Sequence, residues 1–80
     1  MDLNLYMMET CPFCRKVIRE IEEEGRTDIR YSDINKNEED RNTLVSVGGK
    51  QQVPCLFIDG EPLYESDDII KWLRDNPQAK

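Results

Sequence analysis

Eighty residues with 38% hydrophobic content can build one layered core and no more; a chain this short buries only roughly 60–65% of the surface its unfolded form exposes. The 11 basic against 17 acidic residues, a net charge of −6, argue against nucleic-acid binding, which needs clustered Lys and Arg to neutralise phosphates. The absence of histidine removes the commonest general base and metal ligand, and with it any Cys–His protease.

Alternation of Leu3, Leu5 and Met7 with Asp2, Asn4 and Tyr6 predicts a strand over residues 2–7. A helix is predicted over 12–24, with Pro12 at its first position, where no N–H is needed. Phe13, Val17, Ile18 and Ile21 line one of its faces, and Gly25 is its stop. A short strand follows over 29–33, apolar at Ile29 and Tyr31. Asn35 or Asn37 caps a second helix over about 38–47, with Glu38, Glu39 and Asp40 in its first turn. Leu44, Val45 and Val47 are its expected buried side, and Gly48-Gly49 ends it. Residues 53–58 are apolar throughout, as expected of a central strand covered on both faces. Asp59-Gly60 is a hairpin turn, and Glu61 to Tyr64 returns antiparallel. Ser66 is the expected cap of a last helix that carries Ile69, Ile70, Trp72 and Leu73 and closes at Asn76-Pro77. A right-handed crossover makes the first two strands parallel neighbours. The order βαβαββα therefore predicts an α/β fold: a four-stranded mixed sheet flanked by three helices, in a single domain over 1–80.

Residues 1–8 carry Asp2 and no basic leader, and no stretch approaches the ~20 apolar residues of a membrane span. A cytoplasmic location, no membrane contact and a monomer are the expectations. Three cysteines, an odd count, suit a catalytic pair plus one extra thiol better than a disulfide framework.

The chemistry concentrates at Cys11-Pro12-Phe13-Cys14, between the first strand and the first helix. Two thiols one helical turn apart form a redox couple. The first lies at the positive end of the helix, where unpaired backbone N–H groups favour the thiolate. That spacing beside a strand–helix–strand pattern reads as thioredoxin-like. Cys11 is the nucleophile, and Cys14, one turn further in, is the resolving thiol. The bland alternative is two buried cysteines acting as small hydrophobes. A closed zinc site usually needs four Cys or His ligands, so zinc would require carboxylates or a second chain. No metal site is expected.

Three separated segments, Thr10-Cys11-Pro12-Phe13-Cys14, Gln52-Val53-Pro54 and Glu65-Ser66-Asp67-Asp68, resemble the glutaredoxin family, a branch of the thioredoxin superfamily, over essentially the full chain. Glu65-Ser66 also resembles the corresponding segment in the N-terminal domains of glutathione transferases. With no helical second domain in these residues, a full transferase is not expected.

The resemblance implies a thioredoxin-like fold and a thiol–disulfide oxidoreductase acting in cell redox homeostasis. Glutathione is the implied cosubstrate, with no tightly bound cofactor. Disulfide-bearing or glutathionylated proteins are the implied partners. Pro54 is implied to be a cis-proline, against the plainer reading of a strand-initiating proline. Val53 then offers its backbone to the cysteinyl part of glutathione. Ser66 and Asp67, otherwise plain helix-start residues, are implied to receive the γ-glutamyl end, with Glu65 beside them. Lys50, otherwise a solvated loop lysine, is implied to reach the glycyl carboxylate. Phe13 stands where tyrosine is common and keeps an apolar platform beside the thiol. Met8 stands where many members have lysine, so a stabilising charge is missing there; Arg15 and Lys16 are the nearby cations. Cys55 reads as core filler on a central strand, with a redox role as its alternative. Two other functions stay open: a redoxin reduced by thioredoxin reductase that serves ribonucleotide reductase, and a dimeric scaffold for a glutathione-ligated iron–sulfur cluster.

Overall fold

The computed structural model describes residues 1–78. Strand β1 (Leu3–Met7) pairs in parallel with β2 (Ile29–Asp33) on one side and antiparallel with β3 (Cys55–Ile58) on the other; β3 then pairs antiparallel with β4 (Glu61–Tyr64). The sheet order is β2-β1-β3-β4. This is the predicted four-stranded mixed sheet with three helices, in the thioredoxin-like arrangement.

The two faces carry separate cores, as the period of two along each strand requires. Leu3, Leu5 and Met7 of β1 and Leu56 of β3 face α1 (Pro12–Glu23) and α3 (Ser66–Asp75). There they meet Cys14, Val17, Ile21, Ile69, Ile70 and Leu73. Tyr6, Cys55 and Phe57 face the other way, toward Ile34 just after β2 and Leu44 of α2 (Glu38–Gly48). Tyr6 and Phe57 stack at 4.5 Å between ring centroids.

Local chemistry sets the ends of these elements. Helix α1 stops in a paired-bond cap: Gly25, at φ 66°, donates to the Glu22 carbonyl and Arg26 donates to that of Ile21. Asn37 caps α2 by accepting from the Glu39 and Asp40 amides. Asp59 and Gly60 both take positive φ, as a two-residue hairpin turn demands. Pro62 sits on the edge strand β4, where a missing N–H costs little.

Three sequence readings need correction. On α2 only Leu44 is buried, in the core with Tyr6, Cys55 and Phe57; Val45 and Val47 are 42% and 53% exposed because they lie off the side of the helix that meets the sheet. Tyr31 is likewise exposed on the edge strand β2. Phe13 leaves the buried face of α1 and stands 62% exposed, while Cys14 takes the inward position. Ser66 is not the cap of α3: that position belongs to Glu65, whose carbonyl accepts from the Ile69 amide, and Ser66 is the first helical residue.

Candidate active site

The end of β1 turns directly into α1. The Cys11 amide donates to the Met8 carbonyl, and the Cys11 carbonyl accepts from the Arg15 amide as the first bond of the helix. Cys11 is thus the N-cap of α1, with extended backbone (φ −84°, ψ 119°) and Pro12 next to it. It is half-buried and Cys14 is fully buried; both are free thiols. Burial pushes the Cys14 thiol up to about 12; the Cys11 sulfur beside it adds to the rise, and a hydrogen bond with the Met8 backbone opposes it. The two sulfurs are therefore unequal: one opens toward solvent, and the other is held protonated behind it.

The Val53–Pro54 peptide is cis, as the resemblance implies. Pro54 is buried at the start of β3, and Val53 is half-buried just before it. Phe13, Gln52, Val53, Pro54, Glu65, Ser66 and Asp67 line a groove of about 400 Å³. Residues far apart in sequence, one on α1, three before β3 and three at the start of α3, thus share one concave surface beginning two residues from Cys11. A larger cavity of about 610 Å³, among Glu20, Glu24, Arg26 and Arg74, lies at the opposite end of α1 from the thiols. Its arginines are already paired, Arg74 with Glu20 at 2.9 Å and Arg26 with Asp28 at 2.9 Å.

Charges in the groove hold one another. Lys16, one turn beyond Phe13 on α1, pairs with the Asp67 carboxylate. Gln52 Nε2 donates to Glu65 Oε1 at 3.0 Å. Glu65 adopts φ 72°, a region that favours glycine, so the backbone is strained where the groove meets α3. Arg15 donates to the Glu9 carbonyl, and Met8 packs half-buried against the α2-side core.

Lys50 is the one expected groove residue that lies outside its lining. Its Nζ sits 4.6 Å over the Tyr64 ring. Cys55 is fully buried in the α2-side core, across the sheet from Cys14, which fits core filling; burial pushes its thiol up to about 11. Gln52, Lys16 and Tyr64 have roles that the sequence reading did not assign. Gln52 belongs to the Gln52-Val53-Pro54 segment, and the three-residue step from Phe13 to Lys16 puts both on one helix face.

Comparison with known proteins agrees with this geometry. The glutaredoxin family model matches residues 3–63. A probable glutaredoxin of Synechocystis sp. is 28% identical over 67 residues, covering 84% of this chain and 76% of that protein. Among solved structures, glutathione transferase Omega 3C from Trametes versicolor superposes with a TM-score of 0.77 at 26% identity over 94% of this chain; the chain spans only 33% of that transferase. The buckwheat glutaredoxin–glutathione complex superposes with a TM-score of 0.73 at 19% identity, over 92% of this chain and 69% of that one. A family match running through the cysteine pair, the cis-proline and into β4, on the fold that pairing and burial had already defined, places this chain in the glutaredoxin family, whose general chemistry is thiol–disulfide oxidoreduction.

Proposed function

We propose that this protein is a glutathione-dependent thiol–disulfide oxidoreductase that reduces protein–glutathione mixed disulfides and protein disulfides. The observation that carries the reading is the groove. It joins an apolar wall (Phe13), the half-buried residue before the cis-proline (Val53) and a helix start bearing a carboxylate (Asp67), with Phe13 two residues from Cys11. A γ-glutamyl-cysteinyl ligand offers matching groups: a peptide unit for the Val53 backbone, a carboxylate for the free N–H groups that open α3, and an ammonium for Asp67. The bound buckwheat relative lends the ligand class. Lys50 would have to leave the Tyr64 ring to meet the glycyl carboxylate.

The exchange balances without another cofactor. The Cys11 thiolate attacks the glutathione sulfur of a mixed disulfide, the Cys11–glutathione disulfide forms, and the protein thiolate leaves. A glutathione thiolate then attacks that adduct, releasing oxidised glutathione and restoring the Cys11 thiolate. For a protein disulfide, the Cys11 thiolate attacks one sulfur and forms a Cys11–protein mixed disulfide; the Cys14 thiolate then attacks the Cys11 sulfur, the second protein thiolate leaves, and two glutathione thiols reduce the Cys11–Cys14 disulfide, ending as oxidised glutathione. In the free dithiol burial holds the Cys14 proton, so Cys14 must lose it before it attacks.

Turnover of a glutathionylated peptide by wild type, Cys11→Ser and Cys14→Ser tests the reading. Cys11→Ser loses activity, by about a thousandfold or more, because the attacking sulfur is gone. Cys14→Ser keeps glutathione-driven turnover within about threefold of wild type. Equal loss in both variants, or turnover driven by thioredoxin reductase and not by glutathione, overturns the proposal.

A further inference from the structure

The groove floor, Gln52-Val53-Pro54, belongs to the segment between α2 and β3, with no strand pairing of its own before Cys55. Something must fix its position if its backbone is to receive a ligand. One side chain holds the start of this connection. Tyr64, paired with Cys55 across β3 and β4, donates its hydroxyl to the Lys50 carbonyl at 3.0 Å. Its ring lies under the Lys50 ammonium, 4.6 Å from the centroid.

The hydroxyl also rests against the last residue of α2, Gly48, where a Cβ would overlap Tyr64 Oη and stand 3.2 Å from Cζ. Gly48 has helical backbone, so dihedral angles do not require a glycine there. Space for the hydroxyl does. The next residue of β4's outgoing chain, Glu65, takes the Gln52 amide from the outer side. Residues 64 and 65 therefore clasp residues 48–52 at both ends.

We propose that Tyr64 is a positioning residue for this site: seated in the notch left by Gly48, its hydroxyl holds the Lys50 carbonyl and so sets the Val53 backbone where a peptide-like ligand binds. The proposal rests on the glutathione reading above. It assigns Lys50 to this clasp as well, through its carbonyl and its ammonium, which accounts for its absence from the groove lining.

Tyr64→Phe removes the hydroxyl and keeps the ring; Gly48→Ala fills the notch. Each is compared with wild type in amide hydrogen exchange and in turnover of a glutathionylated peptide. Exchange at Gln52 and Val53 speeds up about fivefold in Tyr64→Phe, the loss expected for one hydrogen bond, while β1 amides are unchanged. KM for the peptide rises by about the same factor, with kcat and the rate of Cys11 alkylation within about twofold of wild type. Gly48→Ala repeats the pattern, and adding Tyr64→Phe to it costs little more, because both changes remove the same contact. Unchanged exchange and KM in Tyr64→Phe overturn the proposal, as does a kcat loss with unchanged exchange. If wild type fails to turn over the peptide, the glutathione reading falls, and the exchange arm still decides whether Tyr64 fixes the segment.

Discussion

Asp67 shows how one residue can serve two partners in turn. In the free protein its carboxylate is held by Lys16, and both side chains are largely exposed, at 82% and 55%. Such a surface pair is worth about 0–1 kcal/mol, so a ligand ammonium can displace Lys16 at little cost. Under the proposed function, Asp67→Asn raises KM for a glutathionylated peptide about three- to tenfold and leaves kcat unchanged, as expected for one charge-assisted contact made equally in ground and transition states. Lys16→Met acts oppositely and lowers KM, because the ammonium no longer competes. Steady-state kinetics at low and high salt checks both, since the two opposite shifts shrink together with screening. An Asp67→Asn KM equal to wild type would remove this contact from the site. The resemblance of Glu65-Ser66-Asp67-Asp68 to glutaredoxins makes Asp67 a candidate. The sequence could not reveal Lys16, because that contact spans 51 residues and depends on how α1 and α3 pack. Glu65 was equally hidden: its positive φ comes from the way β4 turns into α3, and a glutamate there carries no local signal for it.

Between elements, Arg26 ties the end of α1 to the end of α3. Its side chain is 2% exposed, donates to the Leu73 and Asn76 carbonyls at 3.0 and 2.8 Å, and pairs with both oxygens of Asp28. The carbonyls that end α3 lack intrahelical donors, and Arg26 satisfies two of the groups there. Asp28, facing the Arg26 guanidinium, is held below the usual carboxylate range. Arg26→Met leaves those carbonyls and Asp28 without their donor while keeping most of the volume. It lowers stability by about 2–3 kcal/mol, read as a shift in urea midpoint with unchanged slope. The rate of Cys11 alkylation is unaffected, because the change lies at the far end of α1. A loss under about 0.5 kcal/mol would reduce Arg26 to a surface residue energetically. Elements themselves were readable wherever local chemistry decides: Pro12 and Gly25 bracket α1, Asn37 caps α2, and Asp59-Gly60 makes the hairpin. Val45 and Val47 stay exposed because, among the described residues, α2 packs mainly on the sheet, so one buried residue, Leu44, suffices. Hydrophobicity reports what a residue could bury and is silent on how much partner surface exists.

At the scale of the whole molecule, two buried thiols on opposite faces of the sheet make stability depend on alkaline pH. Burial raises Cys14 to about 12 and Cys55 to about 11, and it also raises Tyr6, Tyr31 and Tyr64 above the usual phenol value. In the unfolded chain a cysteine ionises near pH 8.5. Between that pH and the folded values, the native state keeps protons that the unfolded state has released, so stability falls as pH rises. The contribution is fully present below about pH 8.5 and is lost through about 11 for Cys55 and about 12 for Cys14. Each thiol adds a slope of up to about 1.4 kcal/mol per pH unit, so the pair together steepens the fall to at most about twice that. Urea unfolding at intervals from pH 7 to 11 measures it. Cys55→Ala carries a constant cavity cost at every pH and halves the slope between pH 9 and about 10.5, since one of the two titrating thiols is gone. The same curve bears on the chemistry: a Cys14 that resists ionisation enough to destabilise the fold in alkali also resists acting as a nucleophile near neutrality. A wild-type stability that stays flat from pH 8.5 to 10.5 would mean the buried sulfur ionises freely, and the inequality between Cys11 and Cys14 on which the order of exchange steps rests would go with it.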